Sequence, residues 1–207
     1  MLARAPSSAA KTRLAADVGA TTAELLYRAM LADLFANLAP AEQQLVAYVT
    51  GDTGAFRDAS GWRGPLRRQV DGDLGRRIAA AIEGCRSDGD AGVLVIDSDA
   101  PQVDAALVAA AAALLTSCDV VVGPAVDGGF YLLGVATSVD IGPLLRDIEW
   151  GAATVLASLR ANAGSAGLAV RSLDTLSDLD RAVDVRRFVR TDQARTCPNV
   201  CAIAARL

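Results

Sequence analysis

Histidine is missing from this 207-residue chain. That excludes Ser-His-Asp and Cys-His catalysis, imidazole metal ligands and imidazole acid–base work. Lysine is nearly missing: Lys11 is the single one, and every other basic side chain is an arginine. A lone lysine beside Thr12 and Arg13 is therefore a residue to weigh. Aromatic residues make up 4% of the chain against 52% hydrophobic residues, so the core is expected to be built from Ala, Val and Leu. The cysteines, Cys85, Cys118, Cys197 and Cys201, form neither a disulfide framework nor a CxxC pair. With no histidine and no second pair near it, the CxxxC of Cys197 and Cys201 reads as buried or idle thiols rather than zinc ligands. Neither GxxxxGK(S/T) nor GxGxxG occurs, which argues against P-loop NTPases and NAD-binding Rossmann proteins.

Long apolar runs are missing too. The Ala-rich stretch from Val103 to Leu115 falls short of the roughly 20 residues a membrane helix needs. The amino-terminal residues lack the apolar run of a signal peptide. No membrane span and a cytoplasmic location are expected. The net charge of −4 repels a phosphate backbone and argues against a nucleic-acid polymer as partner. It leaves room for a local basic pocket for one nucleotide.

What is present is an alternation of short apolar runs with amphipathic stretches, which predicts an α/β fold with helices layered on a mainly parallel sheet. One domain is expected over residues 1–189, followed by a tail over 190–207 with little pattern. Met1 to Ala3 reads as the stub of a strand and Arg4 to Ala10 as a loop. Thr21 to Glu24 reads as a capping box opening a helix to about Leu38, with Leu25, Leu26, Met30, Leu34 and Leu38 at helical spacing. Gln44 to Thr50 reads as a strand, Gly51 to Arg68 as a Gly-rich loop, and Leu74 to Glu83 as a helix stopped by Gly84. Gly92 to Ile96 is a continuous apolar run, as a buried parallel strand requires. Asp104 then opens a helix to Leu115. Strands follow at Asp119 to Val122, Phe130 to Val135 and near Leu168 to Leu173. Helices are expected near Thr154 to Ala161 and Arg181 to Phe188.

Ligands of open α/β sheets bind outside the carboxyl ends of the strands. Three acidic clusters fall just past predicted strand ends: Asp97 with Asp99, Asp127, and Asp178 with Asp180. Carboxylates converging on one crevice suit Mg²⁺ or Mn²⁺, which take oxygen ligands and neutralise a diphosphate. Competing structural roles are open for each: Asp99, Asp178 and Asp180 as helix caps, and Asp127 as a turn residue before Gly128 and Gly129. Lys11-Thr12-Arg13 follows a loop of small residues, an arrangement able to offer cations to phosphates, or simply an exposed basic patch.

These residues fall into motifs that resemble the DUF2064 family, glycosyltransferase-A-like proteins distantly related to cofactor guanylyltransferases. Arg4-Ala5-Pro6 and Lys11-Thr12-Arg13-Leu14 match the ends of the family's KAPxPGxVKTRL loop, and Leu26 to Leu31 its LYRAFL helix. Gln69 with Gly72-Asp73-Leu74-Gly75 matches its QxxGDLG stretch, and Ile96 to Val103 its IGSDCPxL. Gly123 to Gly134 matches its GPAxDGGYYLIG, Ile148-Glu149-Trp150 its IPW, and Asp178-Leu179-Asp180 its closing acidic segment. The first loop departs from the family, being one residue shorter, with Ser8-Ala9 in place of Pro-Gly. Arg181-Ala182 also replaces a Thr-Pro.

The resemblance implies a GT-A, nucleotide-diphospho-sugar transferase-like α/β/α fold with a mixed, mainly parallel sheet. It implies Asp99 and Asp180 as metal ligands, with Asp97 beside them, and Lys11 and Arg13 facing phosphates. Gln69, Gly72 and Asp73 would border the base, while Asp127, Gly128, Gly129 and Trp150 would line the sugar or acceptor side. With no histidine, Asp127 and Glu149 are the candidates for a general base. The leading expectation is a Mg²⁺- or Mn²⁺-dependent enzyme transferring a sugar from a nucleotide-diphosphate sugar to a small acceptor, with Asp99, Asp127 and Lys11 catalytic. The alternatives are a nucleotidyltransferase releasing pyrophosphate from an NTP, and a non-catalytic nucleotide-binding descendant. The oligomeric state is left open.

Overall fold

The computed structural model describes residues 1–7, 10–41, 45–86 and 92–207. Ser8 and Ala9 of the first loop, and Gln44 at the expected start of a strand, lie outside the described residues. In chain order the elements are β1 (Leu2–Arg4), α1 (Thr12–Val18), α2 (Ala20–Leu38), β2 (Ala47–Thr50), α3 (Thr53–Ser60), β3 (Leu66–Arg68), α4 (Leu74–Cys85) and β4 (Gly92–Ile96). They continue with α5 (Ala105–Leu115), β5 (Val120–Pro124), β6 (Phe130–Ala136), α6 (Ile141–Leu145), α7 (Val155–Ser165), β7 (Val170–Ser172), α8 (Ala182–Phe188), a 3-10 turn (Asp192–Thr196) and α9 (Pro198–Ala204). None of the described helices is long and apolar enough to cross a membrane.

The chain forms two compact units. The first comprises Met1–Leu2, Arg68–Asp97 and Ala106–Leu176. Its sheet has the strand order β4-β6-β5-β7. β6 runs antiparallel to β4 and β5, while β5 and β7 are parallel, so three strands share one direction and β6 opposes them. Val120, Val121 and Val122 are all fully buried. Strand residues on both faces are therefore out of water, which is why β5 reads as an unbroken apolar run. α4 starts at Asp73, whose side chain accepts the Arg76 N–H at 2.8 Å, and it continues through Gly84 to Cys85. A single glycine costs a helix only about 1 kcal/mol, and burial of Ile78, Ala81 and Ile82 offsets that.

The second unit comprises Ala3–Arg67, Ser98–Ala105 and Ser177–Leu207. α2 buries Leu26, Met30, Leu34 and Leu38 as the spacing predicts, whereas Leu25 is 46% exposed. α2 opens at Ala20 after Gly19, with no side-chain cap, so the expected capping box at Thr21 does not form. The helix begins two residues earlier than a cap at Thr21 requires. The segment expected as a loop, Gly51 to Arg68, contains α3 and β3. Asp52 caps α3 by accepting from Gly54 N and Ala55 N, and Phe56, fully buried, packs edge-on against Phe35 at 5.7 Å. The last residues, patternless in sequence, carry α9, held by Asp33 of α2 through Asn199 N, Asn199 Nδ2 and Val200 N.

Candidate active site

Two carboxylates of the second unit converge on one ammonium group. Lys11 precedes α1 with φ 55° and ψ 51°, a left-handed conformation that non-glycine residues rarely adopt and that recurs at functional sites. Its Nζ lies 2.9 Å from Asp99 Oδ2 and 2.8 Å from Asp180 Oδ1, and donates to the Leu179 carbonyl at 3.1 Å. An ammonium has three donors, and these three acceptors use them all. The Lys11 side chain is only 6% exposed, against 27% for Asp99 and 29% for Asp180. Burial alone would lower the Lys11 pKa. The facing carboxylates of Asp99 and Asp180 outweigh it and hold the group above the ordinary lysine value. Burial likewise opposes the charge on Asp180, but Lys11 and then Arg13 overcome it and hold that carboxyl below its usual range. Arg13 NH1 reaches Asp180 Oδ2 at 3.3 Å from a position 59% exposed.

The backbone fixes the two carboxylates relative to each other. Leu179 N–H donates to the Asp99 carbonyl at 3.0 Å, and Gln102 Nε2 donates to the Ser177 carbonyl at 2.9 Å. The loop after β4 and the segment before α8 are thereby stitched together. Tyr27, 2% exposed, adds a third tie. Its hydroxyl donates to Arg4 O at 2.9 Å, accepts from Arg4 N at 3.2 Å and lies 3.1 Å from Ser98 Oγ. Tyr27, Ser98 and Gln102 were not among the candidates from sequence. Their signals were present, Tyr27 in the LYRA stretch and Ser98 between Asp97 and Asp99, but hydroxyls and amides carry no charge pattern to single them out.

Asp178 is partly buried within the same acidic segment. Among the described residues no three side chains of the His, Cys, Asp and Glu types gather to hold a metal ion. The pair Asp99 and Asp180 nevertheless fits Mg²⁺ or Mn²⁺. Mg²⁺ is ordinarily held by one or two carboxylates, with substrate phosphates and water completing the shell.

The other candidates belong to the first unit. The Phe130 ring meets the Trp150 ring edge-on at 6.5 Å. A Cβ on Gly75 would lie 2.6 Å from Trp150 Nε1, so the Gln69, Gly72 and Asp73 stretch leads into a helix packed on that indole. Asp73 itself is the α4 cap. Asp127 Oδ1 accepts the Gly129 N–H at 2.8 Å, the turn role open to it from sequence, with the rest of its carboxylate in an exposed position. Gly128 has φ 92°, and a Cβ there would run into the Ala153 carbonyl oxygen. Its own carbonyl accepts from Leu156 N at 3.0 Å. Glu149 is exposed beside Trp150. Asp97 pairs through its backbone, to the Tyr131 carbonyl and in a parallel bridge with Leu2.

The structure is similar to one from Desulfovibrio desulfuricans G20 described as a "putative nucleotide-diphospho-sugar transferase". Identity is 28%, coverage is 99% of this chain and 96% of that one, and the TM-score is 0.84. It is also similar to Rv0371c from Mycobacterium tuberculosis H37Rv, at 19% identity, 92% and 97% coverage and a TM-score of 0.58. A cytidylyltransferase from Leptospira borgpetersenii serovar Hardjo-bovis matches at 12% identity, 99% and 92% coverage and a TM-score of 0.56. These last two likenesses show the fold alone. No curated protein matches the chain. The α/β fold of the nucleotide-diphospho-sugar transferase type, with its mixed and mainly parallel sheet, is thus the fold found. Residues 31–152 match DUF2064, described as an uncharacterized protein conserved in bacteria, and the chain belongs to that family.

Proposed function

We propose that the protein is a transferase that takes a nucleotide-diphosphate sugar as donor and passes the sugar to a small acceptor, with Mg²⁺ or Mn²⁺ as cofactor. The observation that carries this reading is the cluster of Lys11, Asp99 and Asp180, a buried ammonium with Asp99 Oδ2 at 2.9 Å and Asp180 Oδ1 at 2.8 Å. The likeness to the Desulfovibrio protein over nearly the whole of both chains supports the class of donor. Asp99 and Asp180 would hold the metal, which when bound supplies positive charge to the diphosphate leaving group. Lys11 and Arg13 add positive charge beside it, and catalysis of this kind is largely electrostatic and positional. Gln69, Gly72, Gly128, Gly129 and Trp150 are proposed to contact the base and the sugar. The exposed oxygen of Asp127 is the proposed proton acceptor, since Gly129 N–H engages the other and holds the carboxylate in place.

The test is turnover of a panel of nucleotide-diphosphate sugars with Mn²⁺ or Mg²⁺, read as nucleoside diphosphate released, beside NTPs read as pyrophosphate released. Nucleoside diphosphate release by the wild type, lost in Asp99→Asn, is the expected result. Pyrophosphate release instead would make the protein a nucleotidyltransferase. Full metal-dependent activity in Asp99→Asn would sink the assignment of the site.

A further inference from the structure

We propose that Lys11 is a resident cation that closes the Asp99–Asp180 pair to free divalent metal, so that metal enters only together with a diphosphate that draws the ammonium away. This rests on the proposed function and deepens it. Asp99 and Asp180 carry two negative charges, and Lys11 and Arg13, both paired to them, carry two positive ones. The cluster is neutral as it stands, so nothing in its charge attracts a free cation. Nζ already bonds one oxygen of each carboxylate. A dication reaching across the same two groups would meet the ammonium within a few ångströms, where like charges repel strongly in a partly desolvated site.

The protein also supplies too few ligands to overcome that repulsion, since no third carboxylate joins the pair among the described residues. A diphosphate changes both terms. Its oxygens add ligands for the metal, and its negative charge offers Lys11 a new partner. The lysine stem is flexible enough to reach one. The left-handed backbone at Lys11 aims that stem at the carboxylates in the resting protein. The Leu179 carbonyl, its third acceptor, becomes free when the side chain turns.

Two measurements test this. Mn²⁺ binding, read by the electron paramagnetic resonance of the free ion, compares wild type, Lys11→Met and the double variant Lys11→Met/Asp180→Asn, with the metal alone. The expected result is Mn²⁺ affinity at least tenfold higher in Lys11→Met than in wild type, with the gain lost in the double variant. Equal affinities, or no binding by Lys11→Met, would overturn the proposal. The second measurement needs no variant. Because Lys11 is the only lysine, ¹⁵N-lysine labelling gives one side-chain ammonium signal. Mg²⁺ alone should leave it in place, and Mg²⁺ with inorganic pyrophosphate should move it. A shift with Mg²⁺ alone overturns the idea even if Lys11→Met does not fold. The outcome is separable from the functional reading. Donor turnover with equal Mn²⁺ affinities removes only this inference. A tenfold gain in Lys11→Met without turnover of any donor removes only the transferase assignment.

Discussion

The hydroxyl of Tyr27 lies 3.1 Å from that of Ser98, across 71 residues of chain, and the same Tyr27 oxygen bonds both backbone polar groups of Arg4. Burial first, and then the nearby Asp99 carboxylate, keep the phenol above its ordinary pKa, so it stays a neutral donor and acceptor throughout the working range. Tyr27→Phe preserves the ring and removes the hydroxyl that bonds both backbone groups of Arg4, which costs about 1–3 kcal/mol. Urea unfolding should show that loss. Because Ser98 precedes Asp99, donor binding should weaken as well. A variant with wild-type stability would mean that water replaces the phenol at no cost.

Asp33 is 1% exposed and lies in the carboxyl-terminal half of α2, yet it acts as a cap for another helix. α9 has no side-chain cap of its own at Cys197. Asp33 accepts instead from Asn199 N, Asn199 Nδ2 and Val200 N at 3.2, 2.7 and 2.9 Å. Hydrogen bonds to a charged acceptor are the stronger kind, so Asp33→Ala should cost about 2 kcal/mol or more. Limited trypsin digestion should then cut faster after Arg190 and Arg195. Arg195→Ala, which removes only an exposed pair with Asp192, should leave unfolding unchanged.

The reach of sequence reasoning follows from the range of the interactions. β4 was legible to the residue, because a short run of Val, Leu and Ile that starts at a glycine and stops at Asp97 has few other uses. α3 was not, since its eight residues include Gly54 and few apolar positions, and what makes it a helix is the Asp52 cap and the burial of Phe56. α9 depends on a carboxylate 166 residues away, which no local pattern contains. At the candidate site, Lys11, Asp99 and Asp180 were each readable from composition, strand ends and motif. Their bonding to one another, over 169 residues between Lys11 and Asp180, was not, and it is this pairing that changes the chemistry from an open carboxylate pair to one already holding a cation.

Cys197 is fully buried, and burial pushes its thiol from about 9 up to about 12. The unfolded chain loses this proton near pH 9 while the folded protein keeps it. Stability is therefore intact below about 9 and falls as pH rises toward 12, by up to about 1.4 kcal/mol per pH unit for one proton. Cys118 and Tyr131 are raised as well, the latter to about 12, so total stability alone does not isolate the thiol. The difference between wild type and Cys197→Ala does. It should be constant from pH 6 to 8 and shrink between pH 9 and 11 in urea unfolding. A flat difference across that window would mean that the thiol ionises freely in the folded protein.

Gly75 sets helix propensity against packing. Alanine is better than glycine in a helix by about 1 kcal/mol, and Gly75 has no positive φ to forbid it. A Cβ there would, however, stand 2.6 Å from Trp150 Nε1 and 2.8 Å from Trp150 Cε2, and overpacking of that kind costs about 1–3 kcal/mol. Trp150 is only partly buried, so the indole has room to give way. Gly75→Ala should thus change stability little and displace Trp150. In a Trp62→Phe background, which leaves Trp150 as the only tryptophan, its fluorescence maximum should shift. If Trp150 contacts the donor, the same substitution should raise the donor KM at least fivefold with stability held. A shifted fluorescence maximum with an unchanged KM would remove Trp150 from the donor site and leave its role as packing for the first turn of α4.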